Sequence, residues 1–408
     1  MKPLGPIPAG FTARDGELVI GGSTASALID QADDTPLFVY SRDMIAERIE
    51  ALRAAMPERL SIHYAMKANP YGPLLEFIAD LVDGLDIASQ GELQQAREAG
   101  YLPREISFAG PGKRDEELRA AIRAGVTLNL ESEGEAERAL EAARLLKVTP
   151  RLAIRVNPDF ELRGSGMKMG GGAKPFGVDA ERVPALTRRL LEAGADWRGF
   201  HIYSGSQALD ADAIIESQAQ TLDLASRLAG EVGIDLSHLN MGGGFGIPYF
   251  AKDTPLEIEA VGAALRERFT SLPANLAETQ FAMELGRYLV GEAGVYLTRI
   301  VDRKVSHGTT YLVTDGGLHH QLAASGNFGT VVRRNYPVAI ANRFDAEPEE
   351  VVNVVGCLCT PLDRLADDAH LPRAEIGDLV AVFCAGAYGA SASPAAFLGQ
   401  GPALEMLV

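Results

Sequence analysis

The sequence predicts an α/β fold in which a (β/α)₈ barrel of the TIM type is followed by a C-terminal β domain. From about residue 61, short apolar β-rich runs alternate with amphipathic helical stretches, as in parallel βα units. Eight such units can be counted, which favours a closed barrel over an open doubly wound sheet. After about residue 288 the β-rich runs follow one another with few long helical patterns between them. The length of 408 residues agrees with two domains, because it exceeds what one hydrophobic core usually serves.

The elements can be justified in chain order. The first forty residues look extended, and we expect their candidate strands Glu17–Ile20 and Leu37–Tyr40 to pair with the C-terminal domain. The barrel strands are predicted at Ser61–Asn69, Gly84–Ser89, Ile106–Gly110, Val126–Glu131, Arg151–Pro158, Trp197–Gly205, Leu236–Gly242 and Gln280–Arg287. Helical runs such as Glu116–Ala124 and Ala180–Leu191 separate them. The β domain contains the candidate strands Val295–Val301, Thr310–Thr314, Val351–Val355 and Leu379–Phe383. The domains predicted are therefore 1–42, N-terminal strands that join the β domain, 43–285, the barrel, and 286–408, the C-terminal β domain.

The composition excludes several classes of protein. A net charge of −17 would repel a phosphate backbone, so we expect no nucleic-acid partner. The three cysteines, Cys357, Cys359 and Cys384, are too few for a disulfide framework, which favours a reducing cytoplasm. The first residues contain no apolar signal region, and no apolar run reaches membrane-spanning length. We expect a cytoplasmic protein without a membrane partner.

Candidate functional residues lie at the predicted C-terminal ends of the barrel strands, where the active sites of such barrels are built. The first strand ends in Tyr-Ala-Met-Lys-Ala-Asn, residues 64–69, and apolar surroundings would favour the neutral, nucleophilic amine of Lys67. The alternative is a lysine that extends from the barrel rim into solvent. The seventh strand runs into Gly-Gly-Gly-Phe-Gly, residues 242–246, whose backbone N–H groups could hold a phosphate. The alternative there is a tight structural turn.

Three further strand ends carry polar groups. The eighth strand offers the Glu284 carboxylate and the Arg287 guanidinium, which could reach a phosphate or a substrate carboxylate, or could pair with each other. The sixth strand offers His201, which could stack on a planar cofactor or simply be a core residue, followed by hydroxyls that could meet a phosphate. Arg155 in the fifth strand needs an anionic partner, and a neighbouring carboxylate is the simplest one.

The β domain contributes two more candidates. Cys359 follows Cys357 in a Cys-x-Cys segment that lacks a second Cys or His pair at zinc-finger spacing, so we expect no metal and, by default, buried inert thiols. Tyr388, in Gly-Ala-Tyr-Gly, could offer its phenol to a phosphate or could lie in a simple turn.

Together these motifs resemble the alanine-racemase-fold (fold type III) enzymes that use pyridoxal 5′-phosphate, and within them the ornithine and diaminopimelate decarboxylases. The resemblance covers nearly the whole chain, and the motifs stand in family order. It implies a decarboxylase in which Lys67 forms the internal aldimine, His201 stacks on the pyridine ring and Arg155 lies near that ring. It also implies a set of residues that hold the phosphate, namely Ser206, Gly243, Gly244, Gly286, Arg287 and Tyr388.

The resemblance also implies the chemistry. Glu284 would face the pyridine nitrogen and keep it protonated, which suits decarboxylation, whereas racemases of this fold place an arginine there. After CO₂ leaves, Cys359 from the neighbouring subunit would protonate the quinonoid carbanion. The enzyme would therefore be a homodimer with shared active sites.

Two departures from the best-known relatives concern the substrate. Thr360 follows Cys359 where those relatives carry Asp or Glu to hold a distal ammonium group, and Tyr203-Ser204 lengthens the segment after His201, which leaves open whether Ser204 or Ser206 meets the phosphate. In these respects the chain is similar to decarboxylases of specialised pathways, which act on carrier-protein-bound glutamate, on siderophore intermediates or in exosortase-associated systems. We therefore expect a substrate with an acidic or conjugated group, such as one carried by a carrier protein, and not a free diamino acid.

The residues expected around that substrate are Arg287, Arg333, Tyr336, Thr360 and Asp363. Asp363 could replace the missing carboxylate only if it points into the pocket. The segments 317–320 (Gly-Leu-His-His) and 333–336 (Arg-Arg-Asn-Tyr) could present cationic groups. The alternatives are a decarboxylase of free diaminopimelate or ornithine, a non-catalytic pyridoxal-phosphate-binding regulator and, less favoured because of Glu284, a racemase.

Overall fold

Two compact units make up the computed structural model, which describes residues 1–326 and 333–408. The barrel unit consists of Ile49–Gly246 and Pro255–Leu285. The β unit consists of Met1–Arg48, Ile247–Thr254 and Gly286–Val408. The domain boundaries expected from the sequence, after residues 42 and 285, stay a prediction about independent folding.

The barrel unit contains a closed barrel of eight parallel strands. In chain order these are Leu60–Ala65, Gly84–Ile87, Ile106–Phe108, Thr127–Leu130, Arg151–Asn157, Asp196–Ile202, His238–Gly243 and Gln280–Leu285. Each strand pairs with the next one along the chain, and the eighth pairs with the first, with Glu284 beside His63. The predicted fold class is therefore confirmed. The first strand is shorter than expected, because residues 66–68 form a 3₁₀ turn.

Helices connect the barrel strands on the outside. They are Gly72–Ala79, Gln90–Glu98, Asp115–Ala124, Glu133–Leu146, Val183–Glu192, Ala211–Val232 and Ile258–Thr270. Local sequence explains their ends. Ser132 accepts a hydrogen bond from the Glu135 N–H at one N-terminus, and Gly233 ends the longest helix in a left-handed conformation. Short strands Met167–Lys168 and Gly205–Ser206 pair with each other, and Val178–Asp179 adds to the fifth barrel strand.

The β unit is built around a sheet of eight strands. Six of them lie in the order Val338–Ile340, Leu379–Phe383, Gly294–Ser306, Thr309–Thr314, Glu350–Val355 and Arg364–Leu371. Leu37–Tyr40 pairs with Gly294–Ser306 on one side and with Leu404–Leu407 on the other. The expectation that Leu37–Tyr40 joins the C-terminal strands is thus confirmed.

The expected pairing of Glu17–Ile20 with those strands is wrong. This strand pairs with Thr12–Arg14 and Ser23–Thr24 in a separate three-stranded sheet, because local hairpins occupy both of its edges. Its buried side chains, Leu18 and Ile20, nevertheless share a hydrophobic core with strands Gly294–Ser306 and Leu379–Phe383.

Shorter elements complete the chain. The other helices are Ala25–Ala32, Arg42–Ala55 and Arg287–Val290, and 3₁₀ turns lie at Pro103–Glu105, Ala180–Arg182, Ala274–Leu276, Ala341–Arg343, Ala390–Ala392 and Phe397–Gly399. The predicted helical run from Ala180 thus begins as a 3₁₀ turn before Val183–Glu192. Over residues 1–326 and 333–408, no helix is both long and apolar enough to cross a membrane.

Candidate active site

Lys67 lies on the 3₁₀ turn that follows the first barrel strand. The turn is fixed by a hydrogen bond from the Tyr64 hydroxyl to the carbonyl of Asn69, 2.9 Å long. Lys67 is exposed, between buried Met66 and Ala68, and its Nζ lies 5.6 Å from the centroid of the Tyr203 ring. Its charge also acts on buried Glu284. The expected desolvation of the Lys67 amine stays a prediction.

Glu284, at the end of the eighth strand, is a buried carboxylate held by two neighbours. Its Oε2 lies 3.1 Å from Nε2 of His201, which is itself buried, and accepts a hydrogen bond of 3.1 Å from Nδ2 of Asn240. Burial alone would raise the pKa of Glu284, but the charges of His201, Lys67 and Arg155 lower it to about 2. The carboxylate is therefore ionised at neutral pH.

The glycine-rich segment 242–246 packs against the segment that carries Ser206. Gly244 has a φ of 83°, and a Cβ there would stand 2.0 Å from the carbonyl oxygen of Gly205. The Gly244 carbonyl accepts from the Ala208 N–H, 3.0 Å away. A Cβ on Gly243 would stand 1.9 Å from the carbonyl oxygen of Glu284. Glycine is therefore required at both positions for the neighbouring backbones to approach this closely.

The two serines of this segment differ in their partners. The Ser204 Oγ lies 3.4 Å from the Ser217 Oγ, which donates to it. The Ser206 Oγ is buried and has no hydrogen-bond partner among the described residues. Ser206 is thus the hydroxyl still available to a ligand beside Gly244.

Arg155 has the neighbouring carboxylate that its buried position in a strand requires. Its Nη1 donates to Oε1 of buried Glu131 over 2.9 Å. Glu131 also accepts the backbone N–H groups of Gly110 and Gly177, at 2.7 and 2.8 Å. The pair therefore fastens two strand-end loops at the mouth of the barrel.

In the β unit, Arg287 lies among aromatic side chains. Its Nη1 donates to the Tyr249 hydroxyl over 2.7 Å, and its Cζ lies 4.8 Å from the centroid of the Tyr388 ring. Tyr336 packs on Tyr249 with ring centroids 4.6 Å apart. Burial raises the pKa of Arg287's neighbour Tyr249 to about 12, so its phenol stays protonated. Gly286 directly precedes the short helix that begins at Arg287.

Cys359 and Thr360 lie on a surface loop of the β unit. Cys359 and Cys357 are both exposed, so the expected buried thiols are wrong for this pair, whereas Cys384 is buried. Asp363 points into the loop instead, and its carboxylate accepts the N–H groups of Leu318 and Leu358 at 2.7 and 2.8 Å. Asp363 is therefore a buried residue that holds the loop together, whereas Cys359 on the same loop is exposed.

The expected cationic groups are mostly absent from the surface. Burial lowers the pKa of His319, and burial together with His319 lowers the pKa of His320 to about 4, so neither is charged at pH 7. Arg333 is engaged by Asp367, with Nε 2.8 Å from Oδ2. Arg334 is exposed, over the ring of Phe250. The prediction for the histidines is wrong because burial, which sequence does not display, decides their charge.

Sequence reasoning missed two contacts of the candidate residues. Asn240 binds Glu284 and also accepts the Gly242 N–H over 2.9 Å, and Tyr249 binds Arg287. A signal existed for Asn240, since it is a polar residue two positions from His238 on the same face of a mostly apolar strand. Tyr249 gave no such signal, because it lies outside any strand or helix.

A lysine, a buried ionised carboxylate and a glycine-lined segment gather at the C-terminal strand ends of the barrel, which is the arrangement expected of a barrel enzyme. A family model described as "Pyridoxal-dependent decarboxylase, pyridoxal binding domain" matches residues 42–291. The chain belongs to this family, and it is a pyridoxal-phosphate-dependent amino-acid decarboxylase.

Individual relatives cover nearly the whole chain. L-glutamyl-[BtrI acyl-carrier protein] decarboxylase of Niallia circulans is 37% identical over 92% of this chain and 89% of its own. Diaminopimelate decarboxylase of Archaeoglobus fulgidus is 34% identical over 93% and 89%. The crystal structure of diaminopimelate decarboxylase from M. jannaschii in complex with L-lysine is similar with a TM-score of 0.89 and 26% identity, over 98% of this chain and 93% of that one.

Proposed function

We propose that this decarboxylase removes the α-carboxylate of an amino acid whose far end is acidic or conjugated, such as a carrier-bound glutamyl group or a citryl conjugate. The observation that carries the proposal is the loop around Cys359. The position after the cysteine is Thr360, and the one carboxylate nearby in sequence, Asp363, is buried against backbone N–H groups. A distal ammonium group that lost its water there would find no accessible carboxylate on this loop to replace it, because the carboxylate of Asp363 is buried.

The relatives support this proposal and one alternative. The name of the Niallia circulans relative specifies a glutamyl group on an acyl-carrier protein. Several other relatives are named diaminopimelate decarboxylases, which supports the alternative of a free diamino acid as the substrate. Thr360 is the reason for preferring the first.

The residues of the barrel unit fit pyridoxal phosphate. The buried Ser206 hydroxyl has no hydrogen-bond partner within residues 1–326 and 333–408 and lies beside a backbone segment that requires Gly243 and Gly244, which suits the phosphate group. The ionised Glu284 suits a protonated pyridine nitrogen. In this assignment Lys67 would hold the cofactor through its amine, and His201 would help to hold it from the end of the sixth strand. The roles of Arg155, Gly286, Arg287 and Tyr388 in binding the cofactor stay predictions.

When bound, pyridoxal phosphate accepts the electron pair that remains at the α-carbon as CO₂ departs. Glu284 keeps its negative charge throughout, because a pKa of about 2 leaves no proton on it at neutral pH. Cys359 of the partner subunit then donates its thiol proton to the α-carbon, and the resulting thiolate recovers a proton from solvent. The exposed position of the Cys359 thiol on its own chain suits a role in a neighbouring subunit.

Substrate preference tests the proposal directly. We expect kcat/KM for glutamyl-carrier or citryl-diaminopropionate conjugates to exceed that for free diaminopimelate, lysine and ornithine by at least about tenfold. Thr360→Asp should improve activity on a free diamino acid, while Thr360→Asn, of similar size but uncharged, should not. A free diamino acid that equals the conjugates in the wild-type enzyme would contradict the Thr360 argument.

The shared site has its own test. Mixing the inactive variants Lys67→Ala and Cys359→Ala should restore roughly a quarter of the activity, because half of the random dimers would contain one intact site. No recovery after subunit exchange has been demonstrated would rule out a site completed by the partner subunit.

A further inference from the structure

A cavity of about 330 Å³ opens at the N-terminal end of the barrel, among the residues at which the strands begin. It is lined by basic side chains that include Arg151, Arg198 and His238, at the starts of the fifth, sixth and seventh strands. Lys67 and the glycine-rich segment follow the opposite ends of their strands. The proposed decarboxylation therefore gives this basic cluster no role.

The two arginines share a single carboxylate. Asp196 Oδ2 lies 3.5 Å from Arg151 Nε, and its Oδ1 lies 3.8 Å from Arg198 Nη1, both long for ion pairs. The arginine side chains are only 17% and 24% exposed, whereas Asp196 is 44% exposed. Burial and the charge of Arg151 lower the pKa of Arg198. Two partly desolvated cations thus face the cavity with one solvated counter-charge between them.

His238 adds a third donor and no negative charge. Its Nε2 contacts Arg198 Nη2, and because a guanidinium only donates, this nitrogen has to accept and the ring hydrogen sits on Nδ1. Burial, with Arg198 and Arg151, lowers the pKa of His238 to about 4, so the ring is neutral. Its Nδ1 is buried and makes no hydrogen bond of good geometry in the parts of the chain that the structure describes, although the Gln280 side chain, which lines the same cavity, lies close to the ring.

The carboxylates on the other side of the cavity are already engaged. Asp83 accepts the Ile62 N–H at 2.7 Å and lies 3.0 Å from Arg53. Glu105 accepts the Leu102 N–H at 3.1 Å. These groups leave the side with Arg151, Arg198 and His238 as the part of the cavity that attracts an anion.

We propose that the N-terminal end of the barrel binds a small oxyanion, held by the guanidinium groups of Arg151 and Arg198 and by the Nδ1–H of His238. Phosphate and carboxylate groups both match paired guanidinium N–H donors. An oxyanion there would supply negative charge between the two guanidinium groups and would be a stronger acceptor for the His238 Nδ1–H than the neutral Gln280 side chain. The proposal does not depend on which substrate the enzyme decarboxylates.

Calorimetric titration tests this site. The holoenzyme is used because its bound pyridoxal phosphate already occupies the cofactor's phosphate site, so added anions cannot bind there. Inorganic phosphate and succinate, each added at ionic strength held constant with NaCl, distinguish a phosphate from a carboxylate ligand. We expect at least one of them to bind saturably, one per chain, with a Kd below about 1 mM. Absence of saturable binding by both anions would overturn the proposal.

Variants then locate the site. Arg151→Gln and Arg198→Gln should each weaken binding at least about tenfold. The matched control is Arg104→Gln, which lines the same cavity but is 72% exposed and lies beside Glu105, and it should change binding less than about twofold. Equal affinities in all variants, or an equal loss in the control, would overturn the assignment. If a Gln variant does not fold, Arg198→Lys keeps the charge without the paired N–H groups and should still weaken binding, and unchanged affinity would again overturn it.

Discussion

Gly244 shows how one residue can be fixed by two independent constraints. Its φ of 83° lies in the left-handed region, and the space where a Cβ would stand is taken by the carbonyl oxygen of Gly205, 2.0 Å away. Gly233 also has a φ of 83°, but a Cβ there would meet nothing within 4 Å. Substitution at Gly233 therefore measures the free-energy cost of the left-handed backbone alone, whereas substitution at Gly244 measures that cost together with the steric clash.

We predict that Gly233→Ala lowers the free energy of unfolding by about 1 kcal/mol, the cost of a positive φ alone. Gly244→Ala should cost about 2 kcal/mol more, because the backbone of residues 205–206 has to move as well. Urea titrations of both variants give the comparison. If both variants lost the same free energy of unfolding, the backbone around Gly205 would be able to move away from the new Cβ at no measurable cost.

The neighbouring Glu284 gives a prediction about activity. Glu284→Gln keeps the size of the side chain but removes the charge, so we expect kcat to fall by about 100-fold while the protein stays folded. In the wild type, a pKa of about 2 means that Glu284 should cause no loss of activity on acidification down to about pH 4. A pH profile of kcat and a control variant at exposed Glu137→Gln provide the measurement. If Glu284→Gln kept the wild-type kcat, the charge of Glu284 would not act on the cofactor.

At the scale of elements, the loop that carries Cys359 is organised around a buried carboxylate. Asp363 holds the Leu318 and Leu358 N–H groups, and a Cβ added to Gly317 or Gly356 would stand within 2.3 Å of it. The position of Cys359 thus depends on a side chain that itself remains out of reach of solvent.

We predict that Asp363→Ala destabilises the protein by about 2–4 kcal/mol, because two buried N–H groups lose their acceptor. Asp363→Asn keeps one carbonyl oxygen and should cost less. Hydrogen exchange at Leu318 and Leu358 should accelerate in Asp363→Ala and remain unchanged in the exposed control Asp345→Ala. Unchanged exchange in Asp363→Ala would mean that other groups hold this loop.

Elements were easier to predict from sequence than the contacts between them. All eight barrel strands could be located, because apolar runs bounded by helical periodicity and glycine mark buried parallel strands. The predicted end of the first strand is wrong, because the mostly apolar run that includes Met66 and Ala68 continues past Ala65 into a 3₁₀ turn. Strand Glu17–Ile20 was found but its partners were not, since pairing depends on which edges local hairpins occupy.

The same difference holds for the candidate site: its residues could be selected from sequence, but their burial and contacts could not. Lys67, His201 and Glu284 could be selected from their positions at strand ends, and the structure brings His201 and Glu284 into contact. The exposure of Lys67, the buried Asp363 and the neutral His320 could not be predicted, because burial is a property of the assembled fold.

At the scale of the whole molecule, buried histidines connect stability to pH. The pKa of His320 is lowered to about 4 by burial and by His319, whereas an unfolded histidine has a pKa of about 6.5. Between these values the unfolded chain binds a proton that the folded chain refuses. The stability contributed by neutral His320 is therefore present above pH 6.5 and is lost as the pH falls towards 4.

We predict that, between pH 6.5 and 4, the free energy of unfolding falls with decreasing pH by up to about 1.4 kcal/mol per pH unit more in the wild type than in His320→Gln. The exposed control His307→Gln should leave the slope unchanged. Urea midpoints measured at several pH values provide the comparison. Parallel curves for the wild type and His320→Gln would show that His320 takes up its proton equally in both states.

The pairing of Leu37–Tyr40 with Leu404–Leu407 also bears on the order of events during protein synthesis. On the ribosome, every strand of the barrel has been made by the time Leu285 emerges, so the barrel can close while translation continues. Leu37–Tyr40 emerges earlier still, yet both of its neighbours, Gly294–Ser306 and Leu404–Leu407, are made after the barrel. Its edges therefore stay unpaired until residues well beyond the barrel have been made, so this strand presents open backbone N–H and C=O groups for that part of synthesis.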